Sequence, residues 1–247
     1  MTYIIDREDI SNRIYGGYAL ASVLPCSPNS DLYDNQLAES YDYAPRSFQE
    51  ALNNSGILSS AEYESHEGLF IVCAEDQTRA AAADYICQVL KSYGLNIRVS
   101  ILDRESYEEA LEDGDFDLYY GEVRLTANFD LSEFFEEGGN LEYGEIANAN
   151  LATLCEEALE NSGSYVELCA RLMEQAPICP VIFKSYAANV TRGVITNMVP
   201  AVDFVFHETE NARTLADADK TYEPEMPDPT QETVEESASE GTEADTP

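Results

Sequence analysis

Residues 90–123 read LKSYGLNIRVSILDRESYEEALEDGDFDLYYGEV: the end of a helix, a strand, a short helix and a second strand, with almost no slack between them. Successive strands joined through a helix by such short connections pair in parallel, through a right-handed crossover. The pattern extends upstream. Residues 68–76, GLFIVCAED, form a short apolar run bounded by turn signals, which reads as a buried strand. Asp76 or Thr78 then caps a helix whose core face is Ala82, Ile86, Val89, Leu90 and Tyr93, and Gly94 lies beyond its end. In NIRVSIL, Ile97, Val99 and Ile101 share a face; Asp103 caps RESYEEALEDG; Phe116, Leu118 and Tyr120 alternate in the third strand. The middle of the chain is therefore α/β, a mostly parallel sheet flanked by helices.

The flanks are more helical. Asp6 caps a short opening helix on which Ile10 and Ile14 share a face, and Gly16-Gly17 ends it. YGGYALASVLPCSPNSDLYD reads as a turn-rich connection, with Pro25 and Pro28 as breakers. A helix follows in APRSFQEALNNSG, with Pro45 in its first turn, Phe48 and Leu52 paired at i,i+4, and Gly56 as its stop. Beyond a short helix in DLSEFFEEGG, the segments NANLATLCEEALEN and YVELCARLMEQA form an antiparallel hairpin around SGS. CPVIFKSYAANV is a strand entered through Pro180, and AVDFVFHE is a candidate for another.

Composition changes sharply near His207. Residues 208–247 hold thirteen acidic residues, two basic ones (Arg213 and Lys220) and four prolines, too polar to offset the entropy of ordering. The expected organisation is a folded part, 1–207, and a disordered acidic tail, 208–247. Over the whole chain 13 Lys+Arg stand against 48 Asp+Glu, a net charge of −35. That field repels phosphate backbones and excludes nucleic acid as a partner class. No run approaches the ~18 apolar residues of a membrane span, and the start, MTYIIDREDISNRIYGG, has no basic segment leading into an apolar one, so no signal peptide is visible.

In open parallel sheets ligands sit beyond the carboxyl ends of the strands. Those ends are CAEDQT, LDRES and YGEVRLTANFD, the third being richest: Glu122, Arg124, Thr126, Asn128 and Asp130 offer donors and acceptors, with Tyr119, Tyr120 and Phe129 as aromatic surface. The candidate ligand-binding residues are Tyr120, Glu122, Arg124, Thr126, Asn128, Phe129 and Asp130; the alternative is a solvated loop in which Arg124 pairs with a neighbouring carboxylate. Catalysis has little to stand on. The sequence has no GxSxG, P-loop, HExxH or helix-opening GxGxxG, and its two histidines, His66 and His207, lack a sequence-local partner. An enzyme is not expected, nor is a cofactor. Six cysteines (26, 73, 87, 155, 169, 179) lack zinc-like spacing, so no metal is expected. Cys73 and Cys87 fall on buried faces, whereas Cys155 and Cys169 are placed symmetrically about Ser162 and are candidates for a disulfide.

The order of segments resembles that of family 5 extracellular solute-binding proteins, the peptide-, dipeptide- and nickel-type receptors of ABC importers. IIDREDISNRIYGGYA resembles the opening of that family's second large lobe, YDYAPRSFQEALNNSG one of its helices, and AAAADYICQVLKSYGLNIRVSIL its helix–strand block. YEEALEDGDFDLYYGEV and LMEQAPICPVIFKSYAANVTRGV are similar to its later steps. The resemblance implies a type II periplasmic-binding-protein-like lobe that closes with a second lobe on a small-molecule or peptide ligand and delivers it to an ABC permease in the membrane. It also implies a monomer and an extracytoplasmic location, at the cell surface or in the periplasm, for a full-length member. Such members are longer and carry a signal peptide and a first lobe, so an amino-terminally truncated chain is expected. In peptide-binding members an aspartate holds the peptide amino group; the matching position here is Ala127. Two alternatives remain open at this point, a non-catalytic acidic interaction domain and a transferase of similar two-lobed architecture.

Overall fold

A computed structural model describes residues 1–60, 63, 66–186, 195–196 and 213–214. The chain divides into two units, Met1–Tyr186 and Ala187–Pro247. In the first, β2 (Gly68–Cys73) lies between β3 (Ile97–Leu102) and β4 (Leu118–Tyr120), and pairs with each of them in parallel. The register sets Phe70 opposite Val99 on one side and Leu118 on the other. The crossovers are α4 (Gln77–Ser92) and α5 (Arg104–Asp113), capped by the side chains of Asp76 and Asp103.

Central position explains the composition of β2. Its side chains alternate between two faces, and both faces are covered. Phe70 and Val72 pack with Ala82, Ile86 and Leu90 of α4, while Ile71 and Cys73 pack with Tyr107 and Leu111 of α5. Ile71 and Val72 are wholly buried, each contributing about 1.5–3 kcal/mol relative to exposure. Among the described residues β3 has a strand on one side only, and burial falls off along the face it presents: Ile97 is buried, Val99 half-buried and Ile101 54% exposed.

Around this sheet the opening segment forms α1 (Arg7–Asp9), capped by Asp6, and runs on as a π-helical stretch, Ile10–Ile14. Gly16 and Gly17, at φ 62° and 78°, turn the chain out of it, a region L-residues with a Cβ disfavour. The turn-rich connection that follows is more ordered than its sequence suggests. It contains β1 (Ala19–Ala21) and leads into α2 (Asn35–Ser40), capped by Asp34. β1 pairs antiparallel with β5 (Ile182–Lys184), a contact too distant in sequence to read locally. The buried Arg7 fixes the same junction, donating to the carbonyl of Pro180 at 2.9 Å, to Thr2 Oγ1 at 2.7 Å and to Cys179 Sγ at 3.5 Å. α3 (Pro45–Ser55) has Pro45 in its first turn and Gly56 in the left-handed region after it, as expected.

A second core joins the connection to α6 (Ser132–Phe135), α7 (Ala149–Glu160) and α8 (Tyr165–Gln175), with Leu24, Leu131, Phe135, Leu151, Leu168 and Leu172 essentially inaccessible. α7 and α8 form the expected hairpin around a 3₁₀ turn, Ser162–Ser164. All six cysteines are free. The candidate disulfide between Cys155 and Cys169 is therefore not formed; both are buried in this core, which Cys26 shares.

In the second unit the described residues are β6 (Ile195–Thr196) and β7 (Arg213–Thr214), paired antiparallel. Arg213 and Thr214 belong to the stretch read as a disordered tail; the rest of 208–247, and the candidate strand AVDFVFHE, lie outside the described residues. Among the described residues no helix is long and apolar enough to cross a membrane.

Candidate functional site

Parallel pairing carries the loops after Cys73, Leu102 and Tyr120 to one rim of the sheet. Asp76, leaving β2, is the N-cap of α4: its Oδ1 accepts from the backbone of Thr78 at 2.8 Å and of Arg79 at 3.1 Å. Its other oxygen accepts from Lys184 Nζ at 2.9 Å. Glu122, leaving β4, accepts from the same ammonium at 2.5 Å. Arg79 Nε lies 3.4 Å from Asp76 and 3.8 Å from Glu122, buried, and makes no hydrogen bond among the described residues. Lys184 Nζ also stands 5.9 Å from the centre of the Tyr15 ring, and the hydroxyls of Tyr15 and Tyr120 meet at 3.4 Å. Tyr107 of α5 donates to the Tyr120 carbonyl at 3.2 Å, tying the end of β4 to the crossover behind it.

Two acids and two bases thus share one partly buried patch at the rim. Burial alone would push the Asp76 carboxyl up, but the Lys184 ammonium and the Arg79 and Thr78 N–H donors outweigh it and hold the group down at about 2. Desolvation would likewise lower Lys184, and its hydrogen bonds to Glu122 and Asp76 reverse the sign. The lysine is therefore held protonated, which suits a point charge for recognition and not a nucleophilic amine. Burial raises both Tyr15 and Tyr120, so each phenol stays neutral. At the outer end of the rim Arg104 pairs with Glu75 and stands 3.6 Å from Glu108. Among the described residues no group of acidic, histidine or cysteine side chains is placed to hold a metal.

The seven residues singled out in the sequence divide into two sets. Tyr120 and Glu122 join Tyr15, Asp76, Arg79 and Lys184 in the charged patch. Arg124 is exposed beyond it. Thr126, Asn128, Phe129 and Asp130 form a self-bonded turn: Thr126 Oγ1 donates to Asn128 Oδ1 at 2.6 Å and accepts from Asp130 N at 3.1 Å. Asp130 accepts from Ser132 N at 2.9 Å and Ser132 Oγ at 2.7 Å, so its carboxylate serves the start of α6. Phe129, at φ 54°, packs edge-on to Phe183 with ring centres 5.8 Å apart. The surface beside this turn, against Leu159, Tyr165 and Leu168, is only shallowly indented.

Tyr15, Arg79 and Lys184 were not anticipated, and Asp76 was anticipated only as a cap. One signal was available: Lys184 is in phase with Ile182, which packs on the core, so the alternation of β5 points a lysine inward.

The rim thus gathers two carboxylates, an arginine and a lysine held protonated at the end of a parallel sheet. Residues 1–137 match the model of the bacterial extracellular solute-binding proteins, family 5 Middle, and the chain belongs to that family. The solved structures it resembles have the same fold. The oligopeptide-binding protein AppA from Bacillus subtilis, in complex with a nonapeptide, matches with a TM-score of 0.62 and 16% identity over 86% of this chain and 46% of that one. A mannohexaose-bound periplasmic oligopeptide-binding protein of an oligopeptide ABC transporter from Thermotoga maritima matches at 0.64 and 19%, over 79% and 42%. NikZ from Campylobacter jejuni, in complex with Ni(L-His), matches at 0.60 and 15%, over 74% and 40%. The chain thus spans less than half the length of each of these structures. No curated protein matches it.

Proposed function

We propose that this chain supplies one jaw of the substrate-binding component of an ABC importer, holding a small solute between two lobes for delivery to a membrane permease. What carries the reading is the gathering of Asp76, Arg79, Glu122 and Lys184 at the carboxyl-terminal rim of a parallel sheet, in a chain of the family 5 solute-binding proteins. The Tyr120–Asp130 segment continues that rim and forms the wall of the solute site. The class of solute is peptide-like or similar: among the fold relatives one holds a nonapeptide, one mannohexaose and one a nickel–histidine complex. A fold that hosts such different ligands leaves the choice to side chains. Ala127, where a peptide-binding member is expected to carry an aspartate, favours a solute without a free α-amino group at that point.

Binding strength tests the reading. A micromolar Kd corresponds to about −8 kcal/mol, and half of that is millimolar. With the ligand surface shared between two jaws, the full chain alone binds a short peptide with a blocked amino terminus saturably, with a Kd of about 1 mM in calorimetry. No saturable heat for di- to nonapeptides, oligosaccharides or nickel–histidine at about ten times that concentration contradicts the proposal, and micromolar binding contradicts the equal sharing.

A further inference from the structure

The four charged side chains of the rim meet on two oxygen atoms. Asp76 Oδ2 and Glu122 Oε2 stand 2.9 and 2.5 Å from Lys184 Nζ, and 3.4 and 3.8 Å from Arg79 Nε. Lys184 holds the hydrogen bonds to both, and Asp76 Oδ1 is taken by the backbone N–H groups of Thr78 and Arg79. That leaves the arginine over. A guanidinium carries five N–H donors in a rigid fork, and among the described residues no nitrogen of the Arg79 fork is hydrogen-bonded. Nε is buried in that condition, whereas the two Nη groups, farther from both carboxylates, are open to solvent. Glu122 Oε1 likewise accepts no hydrogen bond among the described residues. Glu122 is also the most exposed of the four side chains, at 38% against 18, 23 and 28% for Arg79, Asp76 and Lys184. The root of the fork is fixed, because Arg79 lies in the first turn of α4 and its own N–H is bound to the capping Asp76.

An unfilled fork of donors beside one free acceptor, in a patch whose two negative and two positive charges cancel, selects its complement. A residue in extended conformation presents its C=O and N–H on one edge, as a strand does to its antiparallel neighbour. The carbonyl accepts from the Nη groups, the N–H donates to the free oxygen of Glu122, and no charge is added. A carboxylate would satisfy the same donors but bring a third negative charge against two cations, in a chain whose net charge is −35. We infer that Arg79 sets the specificity of the rim: its Nη groups bind the backbone carbonyl of an internal, uncharged residue of an extended solute and disfavour a free carboxylate at that point. This rests on the reading of the rim as the wall of the solute site.

Two probes of matched length separate the cases: N-acetyl-dialanine N-methylamide, neutral throughout, and N-acetyl-dialanine, which ends in a free carboxylate. Each is titrated into the full chain at neutral pH and followed by NMR, through the backbone amides of the rim and the Nε–Hε cross-peak of Arg79, assigned through bonds from its own backbone. The neutral probe is expected to move both sets saturably with one Kd, and to bind on the order of tenfold more tightly than the acid. Arg79→Lys keeps the charge but not the fork, and is expected to weaken the neutral probe by about tenfold. Saturable rim shifts with the Arg79 cross-peak unmoved, or an acid that binds as tightly as the amide, overturn the inference and leave the solute wall standing. The absence of saturable rim shifts with either probe overturns the wall, and the inference with it. Should Arg79→Lys fail to fold, the cross-peak and the two affinities of the unaltered chain decide the question.

Discussion

Lys184 reaches two carboxylates that the fold brings together from different strands, Asp76 at 2.9 Å and Glu122 at 2.5 Å. Removing the ammonium leaves the two carboxylates with Arg79 as the one cation the site places beside both, at 3.4 and 3.8 Å. Lys184→Met is therefore expected to raise the Asp76 carboxyl from about 2 towards its ordinary value of 3.8, read by NMR titration of its carboxyl carbon. An unshifted Asp76 contradicts the pairing. The loss of stability is expected to be about 1 kcal/mol or less, since these side chains remain partly solvated. Asp76 also sets a pH dependence. Its folded value lies below its unfolded one, so its contribution is complete above about pH 4 and is lost as the pH falls through about 2. In Lys184→Met the share of acid sensitivity carried by Asp76 shrinks, a difference visible in denaturant titrations at pH 2, 4 and 7.

At the level of elements, caps and tight turns hold the helical half to its shape. Asn148 closes the start of α7, its Oδ1 accepting from Asn150 N at 3.0 Å and Leu151 N at 3.1 Å, while its amide donates to Gln175 at the end of α8. Asn148→Ala is expected to cost about 1 kcal/mol in denaturant unfolding, and Asn148→Asp to retain the cap. Gly139 lies where a Cβ would run into the Glu133 carbonyl. Gly139→Ala is expected to destabilise by about 1–3 kcal/mol, because a backbone oxygen cannot turn aside as a side chain can; an unchanged denaturation midpoint contradicts the packing. The elements legible in the sequence are those whose signal is local. The parallel strands were marked by apolar runs between caps, and α3, α4, α5 and the α7–α8 hairpin by periodicity and stop residues. β1 was not legible: three residues, Ala19–Ala21, are a strand only because β5 lies beside them. α2 was not legible because six residues, Asn35–Ser40, are too short to show a helical period. The site suffered the same limit. Tyr120 and Glu122 follow from strand order, but Tyr15, Arg79 and Lys184 come from separated segments, and only the folded chain unites them. The cysteine pairing erred for a related reason. Symmetry about Ser162 is a local pattern, whereas the core that buries Cys155 and Cys169 also draws in distant residues such as Leu24 and Cys26.

For the whole molecule the governing fact is that a sheet of three parallel strands directs three loops to one edge. Everything proposed about solute capture depends on that edge being a binding wall. A net charge of −35 bears on which solutes approach it, repelling polyanions and favouring cationic or zwitterionic ones, an influence screened beyond about 8 Å at physiological salt. The most direct measurement is a map of backbone amide shifts in the full chain during titration with a short peptide or another candidate solute. The predicted result is a saturable set of shifts confined to the rim, at Asp76–Arg79, Tyr120–Asp130 and Lys184, that disappears in Glu122→Gln combined with Lys184→Met. Saturable shifts centred elsewhere, with the rim amides unmoved, would contradict the account.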